Sequence, residues 1–276
     1  LAAVRRSGLR LRVLEEEIFL PTVSTAATTE EIGPVDLVIV ALKTTANRAL
    51  AGLLPPLLRA NTTILTLQNG LGSDELLAAL FGPERVVGGL CFICVNRLAP
   101  GEIYCTAPGS LSLAEFGRRA GERVRVLAAM FAAAGVQARV ADDLAELRWR
   151  KLVWNVPFNG LAIAAGGITT DRIIGDPSLA AEARALMHEV VAAAAGLGYA
   201  ISDRFVESQV EATRLMGPYR PSSLIDFLER RPVEVESIWG EAVRRARAAG
   251  VAVPRLERLY DEIGRLVARR CENERR

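Results

Sequence analysis

The chain of 276 residues is poor in histidine, the side chain that most often transfers protons near neutral pH. Its one histidine, His188, lies in the alanine-rich stretch DPSLAAEARALMHEVVAAAAGLG, which predicts a packed or surface position on a helix. We therefore expect no Ser-His-Asp or Cys-His arrangement, and a metal site built from a histidine cluster is excluded. Acid–base chemistry would have to come from Lys, Asp, Glu, Tyr or Cys.

The sequence also lacks long apolar runs and a strong excess of charge. No run approaches the roughly 20 apolar residues of a membrane span, and the charged start LAAVRRSGLRLRVLEEE has no apolar signal-peptide core. A net charge of +2 gives no reason to expect a nucleic-acid or membrane partner. Because half of the residues are apolar and about a quarter are charged, the composition predicts a globular protein, and its length suggests one large or two modest domains. Without a predicted span or signal peptide, a cytoplasmic location is expected by default.

Cysteines are few, and two of them have C-x-x-C spacing. Cys91 and Cys94 lie in GGLCFICVN, a pattern that can indicate a zinc or redox site. Zinc needs further ligands, and the sole histidine is on a distant helix. We therefore favour free thiols in a buried strand or at a strand end, and we expect no metal.

The first half of the chain alternates strand and helix patterns. The apolar runs PVDLVIVALK, NTTILTLQNG and RVVGGLCFICVNR predict buried strands, with helices between them, and this order predicts a parallel sheet. EIYCTAPGSLSLAEFG predicts two short strands around a Pro-Gly turn. From about residue 141 the pattern becomes helical, with Pro157 as a predicted kink. The sequence thus predicts an α/β domain over residues 1–140 and an all-helical domain over residues 141–276.

The stretch RWRKLVWNVPFNG carries three polar residues at four-residue spacing on an apolar helix. Lys151, Asn155 and Asn159 lie on nearly one face. The lysine could extend its stem to solvent, or burial could lower its pKa from about 10.4 toward neutrality, where it can donate a proton. Buried amides require partners, and two of them in line with a lysine suit a polar ligand. We interpret this face as the wall of a polar pocket.

Two more groups of residues have both a structural and a functional interpretation. Ser222 and Ser223 follow a proline and open a helix, so one of them is expected to cap it. Lys43 ends DLVIVALK and Asn69 lies in LQNGLG. Ligands of open parallel sheets bind beyond the carboxyl ends of strands, where both would lie. Ordinary Asn-Gly turn chemistry explains Asn69 equally well.

Taken together, these residues resemble the ketopantoate reductase (2-dehydropantoate 2-reductase) family. The resemblance runs in order along the whole chain, and six segments in the right order are specific. They are LRLRVLEEEIFLPTVSTAATTEEIGPVDLVIVALK, LQNGLGSDE, APGEIYCTAPGSLSLAE, RWRKLVWNVPFNGLAI, RPSSLIDFLERRPVEVESIWG and RARAAGVAVPRLERLY.

The resemblance implies a fold and an activity. The family joins a Rossmann-type domain to a helical domain like that at the C-terminus of 6-phosphogluconate dehydrogenase, with the active site in the cleft between them. Its members reduce the ketone of ketopantoate, a small 2-oxo acid, to pantoate with NADPH, on the route to pantothenate and coenzyme A. The expected cofactor is therefore NADPH/NADP.

The family's catalytic helix gives its residues expected roles. By resemblance, Lys151 is the general acid that protonates, or hydrogen-bonds to, the carbonyl oxygen as hydride reaches the ketone carbon. Asn155 and Asn159 match substrate-binding amides, and Ser222 matches the serine that holds the substrate carboxylate. Thr169 stands where the family commonly has an asparagine, and its shorter hydroxyl is expected to alter the grip on substrate.

A second set of positions matches the cofactor side of the family's site. Lys43, Asn69 and the backbone at Cys94 match positions that face the nicotinamide, and Asn69 is also expected to contact substrate. Glu234 matches the acid of the family's Thr-Glu-Ile-Asp motif, which lies near the cofactor and the substrate hydroxyls. Trp239 replaces an asparagine of that stretch, which suits a different oxo acid.

The largest departure from the family is an absence. Family members begin with a strand and a G-x-G-x-x-G turn that holds the pyrophosphate, and no such motif occurs in this sequence. Leu1 to Arg12 match the region just after the first β-α-β, so the resemblance implies a missing unit of roughly 30 residues. The basic residue for the 2′-phosphate would be part of it. Without this unit, a sheet edge would be exposed and cofactor would bind poorly.

Two alternatives to ketopantoate reduction stay open. A relative could reduce another small 2-oxo acid or oxo ester. A non-catalytic paralogue or fragment that has lost dinucleotide binding is favoured by the missing glycine turn and disfavoured by the retained lysine and amides. The apolar helices also leave room for a homodimer.

Overall fold

The computed structural model describes residues 1–273, without the side chains at 108 and 271–273. The chain divides into two compact units. The first comprises Leu1–Leu42, Ala46–Gln68 and Asp74–Leu144. The second comprises Lys43–Thr45, Asn69–Ser73 and the chain from Ala145 onward. An α/β unit followed by a helical unit confirms the predicted fold class.

One sheet of seven strands forms the first unit. Its strands are β1 Leu9–Val13, β2 Glu16–Leu20, β3 Leu37–Val40, β4 Thr63–Thr66, β5 Val86–Ala99, β6 Glu102–Glu115 and β7 Gln137–Val140. They are hydrogen-bonded in the order β2-β1-β6-β5-β4-β3, and β7 also pairs with β6. The predicted parallel arrangement holds for β3, β4 and β5. The sheet as a whole is mixed, because β1 pairs with β2 and β5 pairs with β6 in antiparallel register.

Apolar residues cover both faces of the parallel strands. Neighbouring residues on β4, Ile64 and Leu65, belong to two different core clusters, as the alternation of side chains along a strand requires. Leu77 packs in the first cluster and Leu127 in the second. The α-helices of this part of the chain are α1 Ala2–Ser7, α2 Leu50–Leu53, α3 Ser73–Phe81 and α4 Glu122–Ala133. Leu77 lies on α3 and Leu127 lies on α4. Burial on both faces explains the continuous apolar runs of the sequence.

The prediction of two short strands around Pro108 and Gly109 is wrong. The whole segment is the single strand β6, which forms a long hairpin with β5. Phe92 pairs with Ser110 and Cys94 pairs with Ala107, so two residues of β6 lie opposite one of β5. This is a β-bulge, and Gly109 with φ of 54° supplies its left-handed residue. The long hairpin overrides the local turn preference of Pro-Gly.

Helices make up nearly all of the second unit. They are α5 Leu144–Ala164, α6 Thr170–Gly175, α7 Pro177–Gly196, α8 Asp203–Leu215, α9 Ser222–Leu228, α10 Glu241–Ala248 and α11 Pro254–Asn273. Pro157 lies inside α5, and a π-helical turn, Glu236–Gly240, leads into α10. A single apolar cluster joins these helices, with Trp149, Phe158 and Trp239 among its largest fully buried side chains. Within residues 1–273, no helix is long and apolar enough to cross a membrane.

Candidate active site

Two short segments contribute to the second unit although they lie in the first half of the sequence. Lys43–Thr45, here called the Lys43 loop, follows β3, and Asn69–Ser73, here called the Asn69 loop, follows β4. Both loops therefore leave the carboxyl ends of parallel strands. Each carries one of the residues that the sequence singles out at these strand ends.

Lys151 and Asn69 meet in the second unit. Lys151 lies on α5 with its side chain half-buried, and its Nζ donates a hydrogen bond to Oδ1 of Asn69 over 2.6 Å. The two residues are 82 positions apart in the sequence, so only the fold brings them together. The amide oxygen of Asn69 accepts one N–H of the ammonium group and so fixes the direction in which that N–H points.

Asn155 and Asn159 lie one helical turn apart on α5 and have different surroundings. Asn159 is buried, its Nδ2 donates to the Asn155 carbonyl over 3.0 Å, and its Oδ1 accepts the N–H of Ser223 over 2.9 Å. Asn155 is only 7% exposed. Within residues 1–273 no hydrogen bond of its side-chain amide is found, and its amide atoms are not among the buried polar atoms that lack a partner. The Asn155 amide therefore keeps access to solvent.

The predicted capping of α9 by a serine is wrong. The residue at the N-cap is Pro221, and no side chain caps the helix. Asn159 instead accepts the N–H of the buried Ser223 and satisfies one of the free donors at this helix end. Ser222 is exposed at the first position of α9, and no hydrogen bond of its hydroxyl is found within the described part of the chain. Its hydroxyl is thus open to a ligand.

The Lys43 loop binds two buried carboxylates. Lys43 forms an ion pair with Asp226 of α9, and its Nζ lies 3.9 Å from Oε2 of Glu234. Asp226 is 2% exposed and also accepts from Nε of Arg231 over 3.0 Å. The Lys43 side chain itself is 44% exposed, so the carboxylates fix its position while it still contacts solvent.

Glu234 also holds the residue that follows Lys43. Its Oε1 accepts the N–H of Thr44 over 2.8 Å and the Thr44 hydroxyl over 3.0 Å. Thr44 begins a short 3₁₀-helix, Thr44–Ala49, so the carboxylate lies where free backbone donors favour an anion. The structure therefore places Glu234 in contact with the Lys43 loop.

Three further residues of the predicted set have other surroundings. Thr169 is the N-cap residue of α6, and its hydroxyl donates to Asp171. Cys94 lies at the irregular pairing of β5 in the first unit, where its carbonyl accepts from the Thr106 hydroxyl over 3.4 Å. Trp239 is fully buried and donates to the Val156 carbonyl over 3.0 Å, so it fills the helical core.

The cysteines of the described chain are unlinked. Cys91, Cys94 and Cys105 form no disulfide, as the free-thiol interpretation predicts. The side chain of Cys271 lies outside the described residues.

Charged groups also surround the exposed side of the π-helical turn. Burial alone would raise the pKa of Glu236, but hydrogen bonds from the Tyr260 hydroxyl and Arg244, together with the Arg244 charge, lower it below its usual value. The same hydrogen bond to Glu236 raises the pKa of Tyr260. These pairs fix the turn from its solvent side.

Sequence reasoning missed three residues that organise the site, namely Thr44, Asp226 and Ser237. The sequence around Asp226 could have indicated its role, since an acid inside the apolar pattern SSLIDFL must be paired if that face is buried. A second unused signal is composition. The chain has two lysines among its 34 lysine and arginine residues, and they are Lys43 and Lys151. Arginine serves as the cation everywhere else.

Comparisons with known proteins cover most of the chain. Family models described as "Ketopantoate reductase PanE/ApbA" and "Ketopantoate reductase PanE/ApbA C terminal" match residues 1–118 and 143–266. A 2-dehydropantoate 2-reductase of Nostoc sp. is 35% identical over 265 residues, which are 94% of this chain and 83% of the relative.

Solved structures agree with the family models. The crystal structure of 2-dehydropantoate 2-reductase from Geobacter metallireducens has a TM-score of 0.93 and 42% identity, over 95% of this chain and 88% of that chain. The enzyme of the same name from Methylococcus capsulatus has a TM-score of 0.89 and 34% identity, over 97% and 86% of the two chains. This chain therefore belongs to the ketopantoate reductase family of oxidoreductases.

Proposed function

We propose that this chain reduces 2-dehydropantoate (ketopantoate) to pantoate with NADPH, a step toward pantothenate and coenzyme A. The observation that carries the proposal is the pairing of Lys151 with Asn69 over 2.6 Å, beside the open amide of Asn155 on the next turn of α5. The scarcity of lysine strengthens it, because arginine stays protonated and cannot act as an acid, whereas lysine can.

Lys151 is the proposed general acid. Its ammonium group would donate to the ketone oxygen of the substrate, stabilise the negative charge that develops there, and leave a proton on the product hydroxyl. Asn69 orients Nζ through its amide oxygen, which limits the directions in which Lys151 can donate. Preorganised charge of this kind lowers the barrier because no reorientation is needed during the reaction.

Ser222 and Asn155 are the proposed substrate contacts. The exposed hydroxyl of Ser222 at the first position of α9 suits a carboxylate oxygen, which accepts hydrogen bonds strongly. The Asn155 amide supplies both a donor and an acceptor, which suits a substrate that carries a carboxylate and hydroxyl groups. Asn159 is proposed to act indirectly, by positioning α9, since its amide oxygen accepts the backbone N–H of Ser223. Thr169 stays a predicted contact.

The residues of the two loops fit a nicotinamide dinucleotide, and NADPH is proposed by resemblance to the family. Lys43 and Asn69 would hold the nicotinamide side, and an ammonium and an amide suit its carboxamide and the adjacent ribose. The backbone at Cys94 stays a predicted contact. When bound, the cofactor supplies the hydride that reduces the ketone carbon. Glu234 is proposed to support this side by holding Thr44 and facing Lys43.

Other parts of the account stay predictions. They are the domain limits of 1–140 and 141–276, the cytoplasmic location and the homodimer. A relative that reduces another small 2-oxo acid is the main alternative, and a non-catalytic paralogue is the second.

The proposal is tested by ketopantoate-dependent oxidation of NADPH with detection of pantoate. The assay uses this 276-residue chain and, in parallel, the same chain preceded by a family strand and G-x-G-x-x-G turn. NADH replaces NADPH in one series, and a panel of small 2-oxo acids replaces ketopantoate in another. Pantoate formation by either protein supports the proposal.

The outcomes separate the alternatives. Turnover only by the extended chain would show that pyrophosphate binding needs the glycine turn. Reduction of another 2-oxo acid with no activity on ketopantoate would favour the relative with a different substrate. Cofactor binding without reduction of any oxo acid would contradict an enzymatic role.

A further inference from the structure

The π-helical turn Glu236–Gly240 contacts the Asn69 loop through its backbone. A π-turn interrupts the regular i to i+4 ladder of a helix, and such turns occur often at functional sites. The carbonyl of Ser237 in this turn accepts the N–H of Leu71 over 2.8 Å. Leu71 is buried in the helical core, so the loop is anchored on both its polar and its apolar side.

Gly70 makes this contact sterically selective. Its φ is 76°, and a Cβ atom built there would lie 2.3 Å from the Ser237 carbonyl oxygen. Only glycine therefore allows the loop to approach the turn this closely. Asn69, the neighbouring residue, is the one that accepts from Lys151.

The side chain of Ser237 contacts the other loop. Its Oγ lies 2.7 Å from Oγ1 of Thr44 and within 3.3 Å of the Glu234 carbonyl. Thr44 is held in turn by the Glu234 carboxylate, next to Lys43. The buried residue Ser237 thus contacts both the Lys43 loop and the Asn69 loop.

We propose that Ser237 is a positioning residue with two separable arms. Its carbonyl places the Asn69 loop, and so the amide oxygen that orients Lys151. Its hydroxyl places the Lys43 loop, and so the second lysine. This inference deepens the proposed function, because it assumes that both lysines serve the reduction, but the contacts themselves do not depend on turnover.

The composition of the chain supplies a direct readout. Because Lys43 and Lys151 are the only lysines, protein labelled with ¹³C-lysine gives two ε-methylene environments in NMR spectra. Lys43→Arg assigns them by removing one signal. Each signal then reports on one arm without any need for substrate.

Two variants separate the arms. Gly70→Ala forces the Asn69 loop away from the Ser237 carbonyl, so the Lys151 signal should move as it does in Asn69→Ala, and the double variant should match Asn69→Ala alone. Ser237→Ala removes the hydroxyl and keeps the carbonyl. It should move the Lys43 signal and leave the Lys151 signal in place.

Gly72→Ala is the matched control. Gly72 lies in the same loop with φ of 94°, but a Cβ there meets nothing closer than 3.5 Å, at Cγ of Glu241. Both glycine variants therefore carry the strain of a left-handed alanine, and only Gly70→Ala adds the collision. The Lys151 signal should stay in place in Gly72→Ala.

The proposal is overturned if Gly70→Ala and Gly72→Ala move the Lys151 signal equally, or if Ser237→Ala leaves the Lys43 signal unchanged. Kinetics add a second readout. Gly70→Ala should lower kcat about tenfold with little change in KM, and Ser237→Ala should raise the KM for NADPH by a similar factor. If the signals move as expected in the variants but the parent protein has no reductase activity, only the proposed reaction is contradicted. Unmoved signals in an active enzyme would contradict only the positioning role.

Discussion

The Lys43 loop and the Asn69 loop both make polar contacts within the helical unit, but the groups that their named side chains contact differ in charge. Lys43 brings a cation to the buried carboxylates of Asp226 and Glu234. Asn69 brings a neutral amide oxygen to the cation of Lys151. In the first case two carboxylates compensate the ammonium charge, and in the second an amide dipole helps to direct the ammonium group. In the proposed function, Lys43 binds the cofactor and Lys151 donates the proton.

The largest effect is expected at Lys151, the proposed general acid. Lys151→Ala should lower kcat by about 100-fold or more, because the general acid and its charge are both lost. Far-UV circular dichroism and the unfolding midpoint should change little, since the Lys151 side chain is only half-buried. A kcat within about tenfold of the parent would remove Lys151 from the acid role.

The same contrast between an occupied and an open polar group occurs one turn apart on α5. Asn159→Ala should cost about 2 kcal/mol or more in urea unfolding, because the buried N–H of Ser223 loses its acceptor. Asn155→Ala should change stability by less than about 1 kcal/mol and should lower kcat/KM, since its amide is open.

A reversed order of these two stabilities would contradict the assignment of Asn159 to positioning and Asn155 to substrate. The comparison is well matched, because both variants remove the same side chain from the same helix.

Ser222→Ala tests the open hydroxyl of α9. Since no side chain caps this helix, stability should stay within about 0.5 kcal/mol of the parent. The KM for ketopantoate should rise about tenfold, because a hydrogen bond to a charged carboxylate is lost. Ser223→Ala, at the buried neighbour, is the control for helix stability. A lower unfolding midpoint with unchanged KM would return Ser222 to a purely structural role.

The smallest effect is expected on the solvent side of the π-helical turn. Glu236 has a lowered pKa, so its stabilising contribution is present above its ordinary value of 4.5 and is lost as the pH falls through the lowered value. Tyr260→Phe removes one hydrogen bond to this carboxylate. Because Glu236 is 65% exposed, the variant should lose at most about 0.5 kcal/mol at neutral pH.

The deficit should shrink as the urea titration is repeated at progressively lower pH, because protonation of Glu236 removes the charged acceptor of the Tyr260 hydroxyl. A deficit that grows with acidity would contradict the cause assigned to the lowered pKa.

Local patterns predicted the parts of the site that lie on one element. The i, i+4 spacing of Lys151 and Asn155 shows on the sequence, and so do the strand ends that precede Lys43 and Asn69. The pairs that complete the site join residues 64 to 193 positions apart, such as Asn159 with Ser223 and Thr44 with Ser237. No local periodicity encodes such pairs, because tertiary packing creates them.

The two wrong predictions have the same origin. Pro108 and Gly109 have strong turn preferences, but strand pairing along the long β5–β6 hairpin continues past them, and they lie at a β-bulge. A serine after a proline is a frequent helix cap, yet here the N–H of Ser223 donates to Asn159, which lies on another helix. In both places a partner distant in sequence replaces the local preference.

The most direct test of the central claim exchanges each lysine for arginine and measures kcat for NADPH-dependent reduction of ketopantoate. Arginine keeps the charge of Lys43 in its ion pair but cannot act as an acid at position 151. The account predicts that Lys151→Arg loses about 100-fold or more in kcat while Lys43→Arg stays within about tenfold of the parent. Near-normal turnover by Lys151→Arg, or a larger loss in Lys43→Arg, would contradict the division of roles between the two lysines.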